Sequence, residues 1–185
     1  RLSGAVAAFI RETSAMAESL REQLGDKQAE ILSGQVMMVS DPYMTSQMNA
    51  AIENGICAEA AADSVCGMYI DLFSSMEDEL MRQRALDVED LRRRLLSILL
   101  GRPRTELNRL PPGSVLVARD FTPSMTAGLR RENVAAIVTE SGGRTSHSAI
   151  LARTMSLPAV LSVPNITDLL SGGGALVVGG SAGTR

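Results

Sequence analysis

The sequence predicts a chain of two kinds: an all-α helical bundle over residues 1–102, then an α/β unit over residues 103–185. Three observations carry this. Apolar residues recur three and four apart through the first part, the spacing of one helix face. Leu110-Pro111-Pro112-Gly113 is a strong break. Beyond it, short runs rich in β-branched residues alternate with short helical stretches, which marks a partly parallel sheet with helices packed on it.

Taken in order, Val6, Phe9, Ile10, Met16, Leu20 and Leu24 form the first stripe, and Gly25-Asp26 interrupts it. A second helix follows from about Lys27 to Val39. Asp41-Pro42 reads as an N-cap with proline at the first helical position. Met44, Met48 and Ile52 continue that helix to a stop at Gly55. A long helix from about Ala58 carries the stripe Val65, Met68, Leu72 and Met76. The last carries Val88, Leu91, Leu95 and Ile98 and ends at Gly101, with Pro103 just beyond. Short breaks between long amphipathic helices make antiparallel neighbours. In the second part, strands are predicted at Ser114–Ala118, Val134–Val138, Ala159–Ser162 and Ala175–Val178. Helices are predicted at Pro123–Leu129 and Ser146–Thr154. There is no internal repeat and no low-complexity tract.

Composition narrows the function classes. Hydrophobic residues make up 45% of the 185 residues, yet only three Phe, two Tyr and no Trp are present, so the core is aliphatic with ten Met. So few rings cannot build a stacking platform for single-stranded nucleic acid. A net charge of −3 argues against a general polyanion binder. No run approaches the roughly 18 apolar residues of a membrane span, and the first residues lack a signal-peptide pattern. Cys57 and Cys66 lie nine apart in a predicted helix. At about 1.5 Å per residue they stand roughly 13 Å apart, too far for a disulfide. They read as buried thiols of a reducing compartment, and one His with two Cys does not make a zinc site. Arg92-Arg93-Arg94 reads as a solvated face.

The stretch that carries chemistry is Thr139-Glu140-Ser141-Gly142-Gly143-Arg144-Thr145-Ser146-His147-Ser148-Ala149-Ile150, between a predicted buried strand and a predicted helix. Gly142 and Gly143 permit backbone shapes closed to other residues and leave amides free to approach an anion. Arg144 adds a fork of donors suited to phosphate. Thr145 or Ser146 can cap the helix, which places His147, the one histidine of the chain, in its first turn. The positive helix end disfavours an imidazolium and favours a negative group attached to the ring. Ser146 beside His147 cannot form the nucleophile–base pair of a hydrolase triad, because adjacent residues do not face each other that way. Spacing alone reaches phosphate handling and goes no further.

The run Gly142 to Arg153 resembles the phosphohistidine signature of the Enzyme I family, the phosphoenolpyruvate–protein phosphotransferases of the bacterial sugar phosphotransferase system. Pyruvate phosphate dikinases and phosphoenolpyruvate synthases share the Gly-Gly-x-Thr-Ser-His core. They usually have a different residue at x and a double alanine after the histidine, so Arg144 and Ser148 favour Enzyme I. Asp120-Phe121-Thr122-Pro123-Ser124-Met125-Thr126 is similar to the family's Asp-x-Thr-Pro-Ser-x-Thr segment. Arg84-Ala85-Leu86-Asp87-Val88-Glu89-Asp90 with Arg94-Leu95-Leu96 resembles its Arg-Ala-x-Asp-x-x-Asp helix. The likeness runs in matching order over nearly the whole chain.

The resemblance implies a helical HPr-binding subdomain followed by a swivelling phosphohistidine domain. It implies that His147 takes a phosphoryl group from phosphoenolpyruvate on Nε2 and passes it to the active-site histidine of the phosphocarrier HPr. Thr126 would hydrogen-bond the other ring nitrogen. Gly142, Gly143, Arg144, Thr145 and Ser146 would surround the phosphate, and Met37, Met38, Asp41, Leu80 and Arg84 would meet HPr. Where family members often carry an acidic cluster, this chain reads Ser40-Asp41-Pro42-Tyr43. The chain is expected to be a cytoplasmic piece of a homodimeric enzyme. The expected missing parts are the family's N-terminal strand segment and a C-terminal (β/α)8 domain that binds phosphoenolpyruvate and Mg²⁺; no metal or cofactor is expected in the piece itself. No membrane or nucleic-acid partner is expected. The competing readings are the swivelling domain of a dikinase or synthase, which the preceding helical unit opposes, and a non-catalytic interaction module of the same fold.

Overall fold

The computed structural model describes residues 1–102, 107–144, 146–170 and 176–179, with the backbone alone for Glu79 and Asn108. The chain divides into two compact units, Arg1–Arg104 and Thr105–Arg185.

The first unit is five helices: α1 (Leu2–Leu24), α2 (Asp26–Ser40), α3 (Pro42–Glu53), α4 (Ala58–Ser74) and α5 (Glu79–Leu99). Local chemistry sets the breaks. Gly25 has φ +88°, a left-handed turn that side chains resist, and its amide donates to the Arg21 carbonyl at 3.0 Å to close α1. The Asp41 carboxylate accepts from the Tyr43 amide at 2.8 Å and Pro42 opens α3, as the sequence pattern predicts. Asp78 caps α5 through the Leu80 amide at 2.7 Å. α1 packs chiefly on α2, and α4 on α5.

One cluster joins all five helices: Phe9 from α1, Val39 from α2, Met44 and Met48 from α3, Ala62, Val65 and Cys66 from α4, and Val88, Leu91 and Leu95 from α5. Removing a fully buried side chain of Phe9's size would cost about 3–5 kcal/mol. On α4 the predicted stripe is corrected. Met68 and Leu72 are half-exposed, and the buried face continues from Val65 through Tyr69, Ile70 and Phe73. Both i+3 and i+4 steps from Val65 land on apolar residues, so spacing alone could not choose between them.

A buried polar chain also runs through this unit. Arg94, placed on a solvated face by the sequence reading, is only 8% exposed. It donates to Thr13 Oγ1 at 2.7 Å and Gln35 Oε1 at 3.1 Å, and its guanidinium lies 4.5 Å from the centre of the Phe9 ring. Gln35 in turn donates to Asp90 Oδ2 at 3.0 Å. Three consecutive arginines on a helix point about 100° apart, so one of them turns inward while Arg93 faces out and Arg92 pairs with Glu89. Cys66 is buried, and burial pushes its thiol up to about 12, whereas Cys57 lies exposed at the α4 N-cap, against the expectation of two buried thiols.

The second unit has a three-stranded parallel sheet in the order β1 (Ser114–Ala118), β2 (Val134–Thr139), β3 (Ala159–Val160). Its helices are α6 (Pro123–Thr126), α7 (His147–Thr154) and α8 (Ile166–Leu169). The central β2 is buried at every position but Ala135, as expected of a parallel strand covered on both faces. Leu116, Ile137, Val138, Leu151 and Leu157 are among its buried residues.

Three predicted elements are shorter than expected. α6 is one turn, because Ala127 is extended and Gly128 turns left-handed. β3 stops before Ser162, whose φ of +60° breaks the ladder. Of the predicted strand Ala175–Val178, Ala175 lies outside the described residues. Leu176 to Val178 form no strand, and Val177 is 99% exposed. Among the described residues, no helix is long and apolar enough to cross a membrane.

Candidate functional site

β1 and β2 run parallel with Ala118 opposite Thr139, so the loops that follow them leave at the same edge of the sheet. That carboxyl edge is where open α/β sheets place their ligand sites. The two loops are tied at their roots. Glu140 and Ser141 amides donate to the Ala118 and Arg119 carbonyls at 3.1 and 2.9 Å, and the Ser141 hydroxyl donates to the Arg119 carbonyl at 2.9 Å. Thr139 Oγ1 bonds the Ser141 carbonyl at 2.6 Å. Donors from Thr167 hold the Glu140 carboxyl below its usual range, and Arg119 adds to that pull; the Thr167 amide reaches it at 2.9 Å.

Within the glycine-rich loop the two glycines differ. Gly142 has φ +99°, and a Cβ there would stand 3.0 Å from Ser146 Oγ, so any side chain at this position is strained and would push on the α7 cap. A Cβ on Gly143 would meet nothing within 4 Å, so the described backbone does not demand glycine there. Ser146 is the cap of α7, its hydroxyl accepting from the Ala149 amide at 3.3 Å. Of the two capping residues the sequence offered, the structure uses this one; Thr145 lies outside the described residues. The Arg144 side chain is exposed, and its carbonyl is held by Arg153 at 2.8 Å. Ser162 Oγ braces the loop from β3's far end by donating to the Gly142 carbonyl at 2.7 Å.

His147 is the first residue of α7 and is partly exposed. Thr126, fully buried at the end of α6, brings its hydroxyl to 2.7 Å from the ring. The structure thus joins Thr126 and His147, residues 21 apart in sequence, but not at the expected atom. The hydroxyl meets Nε2, not the other nitrogen. The rotation of the imidazole about its side-chain bonds sets which nitrogen faces the hydroxyl. The Thr126 oxygen also sits 3.3 Å from the Thr122 and Pro123 carbonyls. With one proton to place, it either donates to a carbonyl and accepts Nε2–H, or donates to the Nε2 lone pair. In both cases the outer nitrogen is engaged, and it becomes a free nucleophile only when the hydroxyl and ring part.

Two residues outside the predicted site also belong to this edge. Ser148, fully buried, donates to Asp120 Oδ1 at 2.6 Å, and the Phe121 amide donates to the same oxygen at 2.8 Å. Both residues stand inside the two segments that carried the family resemblance, but no local pattern marks them as partners.

The residues expected to meet a protein partner lie in the helical unit. Met37 and Leu80 are 75% and 69% exposed. Asp41 is exposed while capping α3. Arg84 is exposed, pairs with Asp87 at 3.4 Å, and lies over α2 where Gly34 leaves room for its guanidinium. Met38 is half-buried and packs on the bundle core, one helical step round from Met37. Tyr43, Met68, Leu72 and Met81 are further exposed apolar side chains in this unit. Asp41 and Tyr43 are close enough to Tyr69 to help push its hydroxyl up, behind the larger effect of burial. Among the described residues, no group of three or more His, Cys, Asp or Glu could hold a metal ion.

Comparison with known proteins follows the same division. Residues 1–84 match the family model described as PEP-utilising enzyme, N-terminal, and residues 110–183 match PEP-utilising enzyme, mobile domain. The phosphoenolpyruvate-protein phosphotransferase of Enterococcus faecalis is 40% identical over 99% of this chain, and that of Priestia megaterium 38% identical over 99%. The chain spans 32% of the length of each. A solution NMR structure of Enzyme I superposes with a TM-score of 0.81 at 32% identity, covering 98% of this chain and 74% of that one. The N-terminal domain of Enzyme 1 – Nitrogen gives 0.63 at 25% identity, covering 87% and 66%.

Proposed function

This chain belongs to the Enzyme I family, and from that premise we propose that it relays a phosphoryl group through Nε2 of His147. The donor is phosphoenolpyruvate, bound with Mg²⁺ by another part of the same polypeptide. The acceptor is the active-site histidine of HPr, the first carrier in sugar uptake. The observation that supports this most directly is the 2.7 Å contact between Thr126 and Nε2, at the capped N-terminus of α7 and beside a loop where a side chain on Gly142 would be strained. It engages the outer nitrogen of the imidazole at a helix end that favours an attached anion.

In the step toward HPr, the carrier's imidazole nitrogen attacks phosphorus, the His147 N–P bond breaks, and its electron pair returns to Nε2. The proton on the other ring nitrogen stays in place. In the reverse direction His147 Nε2 is the attacking atom. Little covalent chemistry is left for the protein beyond alignment and charge stabilisation. The exposed Arg144 guanidinium is the donor positioned beside the histidine to face the phosphoryl oxygens. Thr126 has two tasks in this reading: it holds the ring in the resting state, and it must release Nε2 for transfer.

The helical unit is the docking partner for HPr in the same reading. Met37 and Leu80 supply exposed apolar area, with Asp41 and Arg84 as charged neighbours. Met and aliphatic side chains suit a surface that must release its partner after each transfer. The full polypeptide is a cytoplasmic homodimer in this reading.

The test is to incubate the chain with phosphorylated HPr and measure acid-labile, alkali-stable phosphate on it. Label on the wild type and complete loss on His147→Gln is the expected result. An unlabelled wild type across several HPr proteins would refute transfer by this chain.

A further inference from the structure

We infer that the Asp120–Ser148 hydrogen bond is a positioning clamp, which keeps the loop bearing Thr126 in register with the helix bearing His147. The inference rests on the phosphohistidine reading above and adds two residues to it. A hydrogen bond of 2.7 Å, such as Thr126 to Nε2, weakens within a few tenths of an ångström, so the elements that carry its partners must be held to that tolerance. Thr126 ends a one-turn helix, too short to be rigid by itself, and its register with α7 must come from contacts across the two loops.

Asp120 and Ser148 provide such a contact. Ser148 immediately follows His147 and has no exposed surface. Its hydroxyl donates to Asp120 Oδ1 at 2.6 Å, a charge-assisted bond, and also lies 3.3 Å from the Phe121 amide. The same carboxylate oxygen accepts from that amide at 2.8 Å, which fixes the chain just before α6. It would stand 3.7 Å from a Cβ on Gly142. One carboxylate therefore ties two segments together, the entry to α6 and the first turn of α7, beside the glycine-rich loop. A buried hydroxyl paired with a carboxylate is a poor way to fill a core, since an alanine there would bury no polar group. It is a good way to set a distance.

The chain has one histidine, so every imidazole resonance belongs to His147. The experiment compares imidazole ¹⁵N shifts, and the rate of phosphoryl transfer from phosphorylated HPr, across Ser148→Ala, Asp120→Ala, the double variant and Asp120→Asn. Each alanine variant is expected to alter the ring's ¹⁵N pattern and slow transfer by about 10- to 100-fold, the range of a small misalignment. The double variant should be no slower than the slower single, because both remove one bond. Asp120→Asn keeps an acceptor oxygen and should recover most of the loss. Ring spectra of both alanine variants that superpose on the wild type would overturn the clamp, as would effects that add in the double variant. Should Ser148→Ala fail to fold, the contrast between Asp120→Ala and Asp120→Asn decides. A wild type that takes no phosphate would defeat the transfer reading, while the ring spectra would still decide the clamp.

Discussion

The two units each hold a polar constellation, and the two are built for opposite ends. In the helical unit, Arg94 is enclosed by Thr13, Gln35 and the Phe9 ring, with Asp90 completing the chain behind Gln35. In the α/β unit, His147 is partly open to solvent and leans on one hydroxyl at its outer nitrogen. The first is a joint between helices that is costly to open, because opening it strands a buried charge. In the proposed relay, the second opens in each cycle. Hydrogen bonds of the same length, 2.7 Å from Arg94 to Thr13 and 2.7 Å from Thr126 to His147, would then serve permanence in one place and turnover in the other. Burial, more than bond length, separates them.

The comparison can be broken first at Arg94. Arg94→Met removes the cation and leaves Thr13 and Gln35 buried with fewer partners, an expected loss of about 3–5 kcal/mol in the stability of the helical unit for two charge-assisted hydrogen bonds. Urea unfolding followed by far-ultraviolet circular dichroism measures it, and a loss below about 1 kcal/mol would mean that water replaces the guanidinium.

A second expectation concerns Asp87, on the rim of the same network. Burial pushes its carboxyl from 3.8 up to about 6, with Asp90 adding to the rise and Arg84 opposing it. The folded unit therefore holds this proton between those two values while the unfolded chain releases it. Stability from this group is fully present below pH 3.8 and is lost as pH rises through about 6. At about 1.4 kcal/mol for each tenfold change in proton affinity, the loss is ~3 kcal/mol. Asp87→Asn should remove that part of the pH dependence, so the stability difference between variant and wild type widens from pH 4 to pH 7 in favour of the variant. A parallel pair of pH–stability curves would contradict it.

The smallest expected effect belongs to the open site. Thr126→Val should leave unfolding almost unchanged and slow phosphoryl transfer from HPr about tenfold, or ~1.4 kcal/mol in the barrier. Single-turnover labelling reads it directly, and wild-type kinetics in the valine variant would remove Thr126 from the mechanism.

These sites also differ in how legible they were. Helix ends are local events, so Gly25, Asp41-Pro42 and Gly101 announced them. The buried β2 was readable from Val134–Val138, and the α7 cap was narrowed to Thr145 or Ser146, between which the fold chose Ser146. Arg94 was not, since its burial depends on Thr13 and Gln35, residues 81 and 59 positions away. Thr126 came only through likeness to a known family. Its contact with Nε2 could not come from sequence, because side-chain rotation decides which ring nitrogen faces it. The same is true of Met68 against Tyr69 on α4, where helical spacing permits either and packing chooses Tyr69.

One consequence lies in the two sulfurs. Cys57 is exposed at the head of α4, while Cys66 is buried with its thiol pushed up to about 12. An electrophilic dye therefore reaches one thiol and not two. The molecule comes with a single address for a fluorophore, in the helical unit. Light collected there would report changes around the head of α4.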